Sequence, residues 1–214
     1  MSQIFPKWAD EAPKRILIGV IIFLNAAIFG VWYFFSPEFT DVGYAPEQPV
    51  PFSHQVHAGQ LGMDCQYCHT QVTESRYANI PATQTCMNCH NQILTDSENL
   101  EPIRDSWETG EPIEWVRVHM LPDFAYFNHA AHVSVGVGCE SCHGRIDRME
   151  VVQQAEPLSM GWCLDCHREP EKHVRPVEEV TTMGYTEENQ LEVGLDLVAK
   201  HNINAPTYCQ SCHY

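Results

Sequence analysis

"FSHQVHAGQLGMDCQYCH", residues 52–69, sets His54 and His57 three apart, then a glycine-containing spacer, then Cys65, Cys68 and His69 as a C-x-x-C-H box. "FNHAAHVSVGVGCESCH", residues 127–143, repeats the pattern with His129, His132, Cys139, Cys142 and His143 and a spacer one residue shorter. Each stretch is followed at a similar distance by a second box, "IPATQTCMNCH" (80–90) and "PLSMGWCLDCH" (157–167). A fifth box, in "APTYCQSCHY", closes the chain. A repeat of this kind decides the fold before residue propensities do. It predicts two modules of the form F-x-H-x-x-H, box, box, and a C-terminal box of its own.

The cysteines number ten and fall at 65/68, 86/89, 139/142, 163/166 and 209/212, with none left over. Each pair is followed at once by a histidine: His69, His90, His143, His167 and His213. A zinc site wants two C-x-x-C pairs, and five is an awkward number for that. Thioredoxin-like redox motifs do not come in fives. Attachment of c-type haem accounts for every box: both thiols add to the haem vinyl groups and the adjacent histidine becomes the proximal iron ligand. Five haem c are therefore expected.

A six-coordinate haem has two axial positions, and the box histidine fills one. His54 and His57 cannot both be distal to a single iron. At i and i+3 on a helical turn their side chains start about 5–6 Å apart, so each can serve a different haem: one its own box, the other a neighbour, His57 toward Cys86/Cys89 and His132 toward Cys163/Cys166. The bland alternative, one surface histidine in each pair, is weakened by the recurrence of the pair at matching position. The chain has 12 histidines, so His119, His173 and His201 remain once these are assigned. His173 lies among charges and His201 on a predicted helix surface. His119 is the first choice as distal ligand for the last box, because Pro122 breaks any helix between it and His129. Met183, lying between the fourth and fifth boxes, is the runner-up, against the simpler reading that its thioether packs on a porphyrin face. Trp107, Trp115 and Trp162 read as haem packing. A full set of axial ligands suits electron transfer rather than substrate chemistry, so no catalytic residue is expected.

Residues 16–35, "ILIGVIIFLNAAIFGVWYFF", carry no charge; such a helix is about 30 Å long and crosses a bilayer. Lys7, Lys14 and Arg15 precede it, and no further Lys or Arg occurs until Arg76. That asymmetry places residues 1–15 as a cytoplasmic leader and the remainder outside, where haem is attached. A cleaved signal peptide is the competing reading, disfavoured by the length and by "WYFFSPEF" where a small-residue cleavage site belongs. Trp32, Tyr33, Phe34 and Phe35 fit an interfacial belt. The predicted organisation is leader 1–15, transmembrane helix 16–35, first dihaem module 36–110, and second dihaem module with the fifth haem 111–214. From Ser36 on there are nine basic and 26 acidic residues, which excludes nucleic acid as a natural partner and leaves a basic protein surface or plain solubility. The expected fold class is a multihaem cytochrome: short helices and irregular loops packed around five haems, with little or no sheet. An extended piece is expected near "IEWVRVH", and a helix in "EENQLEVGLDLVAKHN" with Leu191, Leu195 and Val198 on its apolar face.

The paired-histidine segments resemble multihaem cytochromes of the c3/c7 type. The larger pattern, five boxes after a retained helix with "HMLPDFAYFNHAAHV" and "SCHGRIDRMEVVQQAEPLSMGWCLDCHREP", resembles the pentahaem cytochrome c subunit of alternative complex III, a bacterial quinol:electron-acceptor oxidoreductase. The resemblance implies a single-pass protein of the bacterial cytoplasmic membrane with its haems on the periplasmic side. It also implies partner subunits: an iron–sulfur protein, polytopic membrane subunits and a monohaem cytochrome c. Two other functions compete. A pentahaem reductase keeps one haem open, often with lysine in place of a box histidine, and all five boxes here end in histidine. A self-sufficient membrane-anchored quinol dehydrogenase binds quinol beside a first haem near its helix, whereas the first box here starts thirty residues past residue 35.

Overall fold

The computed structural model describes residues 6–213. They divide into one unit ending at Thr40 and another beginning at Asp41. The first unit is helix α1, Lys7–Phe34, followed by the single turn α2, Pro37–Thr40. Residues 8–34 are long and apolar enough to cross a membrane, by length and composition. The helix starts nine residues before the predicted 16, within the expected leader, whose residues 1–5 lie outside the described ones. Alanine, glutamate and lysine in "KWADEAPK" are good helix formers, and Lys14 pairs with Glu11 one turn away at 3.1 Å. Polar helix thus extends the apolar one, with Pro13 tolerated inside it.

The second unit has no strand among the described residues; pairing is limited to isolated bridges Ala125–His213 and Val137–Val174. Its α-helices are short: α3 Cys65–Cys68, α4 Thr83–His90, α5 Glu101–Thr109, α6 His129–Val133, α7 Glu140–His143, α8 Met160–Arg168 and α9 Gln190–Lys200. The first paired-histidine segment winds as a π-helix over Gln55–Gln60, and the last box is a 3₁₀ turn, Cys209–Ser211. Buried hydrophobic side chains are few, namely Val50, Val72, Ile103, Val133, Val174, Val180 and Leu197. Such a core is thin for a domain of this length.

The two repeats interlock. The Gln55 amide donates to the Met149 carbonyl (3.0 Å), and Ser53 Oγ to Glu150 (2.6 Å). In the other direction the amides of His129 and Ala130 donate to the carbonyls of Arg76 and Ser75, and Thr181 Oγ1 to Asp64 (2.9 Å). The extended piece near Val116 has no partner strand. The Gln48 side-chain amide bonds both the carbonyl (2.9 Å) and the amide (3.0 Å) of Val116, as a neighbouring strand would.

Helix α9 forms where the pattern placed it, but with another face inward. Leu191 and Leu195 are exposed, while Gly194 and Leu197 are buried. A Cβ on Gly194 would run into the Glu171 carbonyl, and Gln190 Nε2 donates to the carbonyls of Glu171 (3.1 Å) and Val174 (2.8 Å). Close backbone approach, not leucine spacing, sets the orientation.

Candidate haem-binding sites

A helical turn brings residues i, i+3 and i+4 onto one face. Each C-x-x-C-H box lies on such a turn, so both sulfurs and the imidazole project together. Asp64 caps the first box, accepting from the Gln66 amide at 2.7 Å, and Ser159 caps α8, accepting from the Trp162 amide at 3.2 Å. All ten cysteines are free of disulfides.

The histidines are held by one nitrogen. Nδ1 meets a backbone carbonyl in His57 (Ser53, 2.8 Å), His69 (Asn79, 2.6 Å), His90 (Ile93, 3.1 Å), His129 (Arg76, 2.9 Å), His132 (Asn128, 2.8 Å) and His167 (Pro206, 2.7 Å). A carbonyl only accepts, so Nδ1 carries the proton and Nε2 keeps its lone pair. This is the outer hydrogen bond that orients metal-ligating histidines.

Three pairs of rings lie at a telling distance. Centroids are 6.2 Å apart for His57 and His90, 6.4 Å for His129 and His143, with planes only 7° apart, and 6.0 Å for His132 and His167. Two imidazoles bound to opposite sides of one metal, with bonds of about 2 Å, place their centroids roughly 6 Å apart. His57 and His132 thus lie near the histidine of the second box of their own repeats.

Phe52 and Phe127 act alike in the two segments, a role that sequence reading passed over although both stand in the repeat. Phe52 stacks on His57 (4.4 Å, 24°) and meets His54 edge-on (4.9 Å, 86°). Phe127 does the same to His132 (4.7 Å, 26°) and His129 (4.8 Å, 86°). One aromatic ring fixes the divergence of each pair.

Electrostatics keep several of these rings neutral. Burial, then the neighbouring His69, His57 and His119, push the His54 pKa down to about 4. Burial, then His119 and His129, take His143 down to about 3. Burial also lowers His132 and His119. Neutral imidazole is the form that binds metal. His54 Nδ1 is buried without a hydrogen-bond partner, a cost of about 1–3 kcal/mol unless a group from outside the chain compensates it.

The thiols lie close between boxes. The nearby Cys65 thiol, with burial, raises the Cys139 pKa. Burial, then Cys166 and Cys163, push Cys142 up to about 12. Burial, then Cys86, raise Cys68, and burial, then Cys212, raise Cys163.

His119 does not reach the last box. Its Nε2 lies 3.1 Å from His143 Nδ1, with ring centroids 4.4 Å apart. The turn at Pro122, closed by the Ala125 amide on the Pro122 carbonyl (2.9 Å), carries later residues there instead. Ala125 bridges to His213, the Tyr126 amide donates to the Cys212 carbonyl (2.7 Å), and Phe124 lies against the His213 ring (5.6 Å). Met183 is next to Gly184, whose amide donates to Glu140 at 2.6 Å, so the backbone following it runs past the third box. His173 and His201 are exposed; Trp115 and Trp162 are half-buried, and Trp107 is exposed.

The donor set fits covalently held haem: paired thiols and an imidazole on one turn, and opposing imidazoles with Nε2 free. Residues 50–103 match the family model for cytochrome c7 and related cytochrome c, and residues 131–214 match that for cytochrome c3. Two segments of the chain are thus similar to multihaem cytochromes of the c3/c7 type. The chain is also 34% identical over 138 residues to the multihaem cytochrome c subunit of menaquinone reductase from Nitratidesulfovibrio vulgaris. That match takes in 64% of this chain and 61% of the relative, so the chain spans about three fifths of the relative's length.

Proposed function

We propose that this cytochrome is a membrane-anchored pentahaem electron-transfer subunit of a quinol-oxidising respiratory complex of the alternative complex III kind. Electrons would leave toward a cytochrome c or a terminal oxidase. The observation that carries the reading is the set of three opposed histidine pairs at 6.0–6.4 Å, each joining a box histidine to a histidine of a paired segment. Haem supplies a one-electron redox centre wherever it is bound.

The chain's own residues do the rest. Cysteines 65/68, 86/89, 139/142, 163/166 and 209/212 anchor, and His69, His90, His143, His167 and His213 are proximal ligands. His54, His57, His129 and His132 are distal to the boxes of His69, His90, His143 and His167 in turn. The Nδ1 bonds of His57, His129 and His132 and the Phe52 and Phe127 wedges, the former also against His54, hold the rings against rotation, which keeps reorganisation small. Helix α1 anchors the protein in the bacterial cytoplasmic membrane with its N-terminus inside and residues 36–110 and 111–214 on the outer side. An iron–sulfur protein, polytopic subunits and a monohaem cytochrome c are the proposed partners.

A second reading is favoured by the relative's name: the subunit would belong to a complex that reduces menaquinone, with electrons flowing the other way. Purification from membranes in mild detergent decides. The first reading requires five haems by pyridine haemochrome and co-purifying subunits with quinol:cytochrome c activity. Menaquinone reduction by a reduced cytochrome, without the forward reaction, would select the second. Fewer than five haems would remove the basis of both.

A further inference from the structure

The repeat gives the order of the boxes along the chain, not their order in space. Contacts between boxes supply the latter. The second box touches the first: Asn88 Nδ2 of α4 donates to the Tyr67 hydroxyl of α3 (3.3 Å), and His57, just ahead of the first box, faces His90. The first box touches the third. Asp64, next to Cys65, accepts from Thr181, whose neighbour Val180 accepts the Cys139 amide at 2.9 Å, and the Cys65 and Cys139 thiols influence each other electrostatically. The third and fourth boxes are joined by α6, one turn of which aims His129 at His143 and His132 at His167. The fourth meets the fifth through His167 Nδ1 and the Pro206 carbonyl (2.7 Å), three residues before Cys209.

Every such contact joins neighbours in the series second, first, third, fourth, fifth. Exposure gives an independent view of the ends. Of the ten cysteines, the exposed ones are Cys89 and Cys209, one in the second box and one in the fifth. The first, third and fourth boxes have all their cysteines at least partly covered.

We propose that the five attachment sites form one unbranched row in the order second–first–third–fourth–fifth, with the second and fifth boxes as its exposed ends. The first and third boxes, from different repeats, make the central junction, so the row crosses between repeats at Cys65 and Cys139. Sequence order would instead put the first box at one end. This inference rests on the reading of the boxes as haem sites.

An electron cryo-microscopy map of the haem-loaded full chain in detergent tests it, with haem content measured on the same sample. The row requires that the shortest iron–iron separations join second to first, first to third, third to fourth and fourth to fifth. The longest should join the second and fifth. Five haems with the second iron nearest to the third, fourth or fifth would overturn the row and leave the haem assignment standing. Fewer than five haems would overturn the row together with the reading beneath it.

Discussion

On the proposed pentahaem reading, replacing His132 with alanine should convert one haem of the five from low to high spin, and that haem should be the one at Cys163 and Cys166. His132 is half-buried, its Nδ1 donates to the Asn128 carbonyl at 2.8 Å, and its ring stacks on Phe127 and faces His167 at 6.0 Å. Removing the ring forfeits a hydrogen bond of about 0.5–1.5 kcal/mol and an aromatic contact of similar size. That is a loss of about 1–3 kcal/mol before iron ligation is counted, or a fall in Tm of about 2–12 °C in a domain of this size. Such a loss should leave the loaded chain folded. Electron paramagnetic resonance should then show about one fifth of the haem moving from low-spin to high-spin signals. The same substitution in a chain whose fourth box is disabled, Cys163→Ser with Cys166→Ser, should produce no new high-spin signal, because two changes at one site are not additive. His129→Ala in that background should still produce one. A high-spin signal from His132→Ala without the fourth box, or none in the intact chain, would refute the pairing.

Arg175 is buried, lies 3.0 Å from Glu140 of α7, and packs over Tyr185; Arg175→Ala removes the nearer cation from a carboxylate that keeps Arg145 at 4.0 Å and the Gly184 amide, so thermal or denaturant unfolding should show a loss of about 1.5–3 kcal/mol. Gly194→Ala should cost about 1–3 kcal/mol by forcing α9 off the Glu171 carbonyl, whereas Leu195→Ala, on the exposed face, should change unfolding by less than about 0.5 kcal/mol. A chain beginning at Ser36 and given a cleavable export signal should fractionate as soluble when expressed without partner subunits; retention in the membrane would show that α1 is not the main anchor.

The boxes were legible because their chemistry fixes their spacing: two sulfurs and an imidazole must lie on one helical turn. The paired histidines were legible because a repeat displays them twice. Features decided by contacts between distant backbone segments were not. The inward face of α9 follows from the approach of Glu171 to Gly194, and a lone glycine amid leucines does not announce it. Gly136 is similar: it adopts φ 92° and a Cβ there would strike the Arg175 carbonyl, so the spacer glycine of the second repeat exists to admit the segment that carries Arg175. The start of α1 at Lys7 was hidden for another reason. Apolar length marks the span that suits a bilayer, and ordinary helix propensity continues the helix past it.

His119 shows how a buried polar residue redirects a site. Gln154 is among the most buried side chains, 1% exposed. Its Oε1 accepts from the Met120 amide (3.2 Å), its Nε2 donates to the Glu156 carbonyl (3.1 Å), and its backbone bonds Gly43 and Tyr44. An amide so enclosed is costly to leave unpaired, so the backbone at Met120 is pinned beside residues 154–156. His119, one residue earlier, is then held next to His143. Pro122 turns the chain only after this anchor, and the first segment free to meet Cys212 and His213 is Phe124–Tyr126. In the sequence Gln154 is one of two glutamines in "VVQQAEP", and nothing local distinguishes it from its neighbour Gln153, which is exposed. The position of a candidate ligand is thus set by a hydrogen bond 34 residues away, and spacing alone could not have assigned His119 to the third box rather than the fifth.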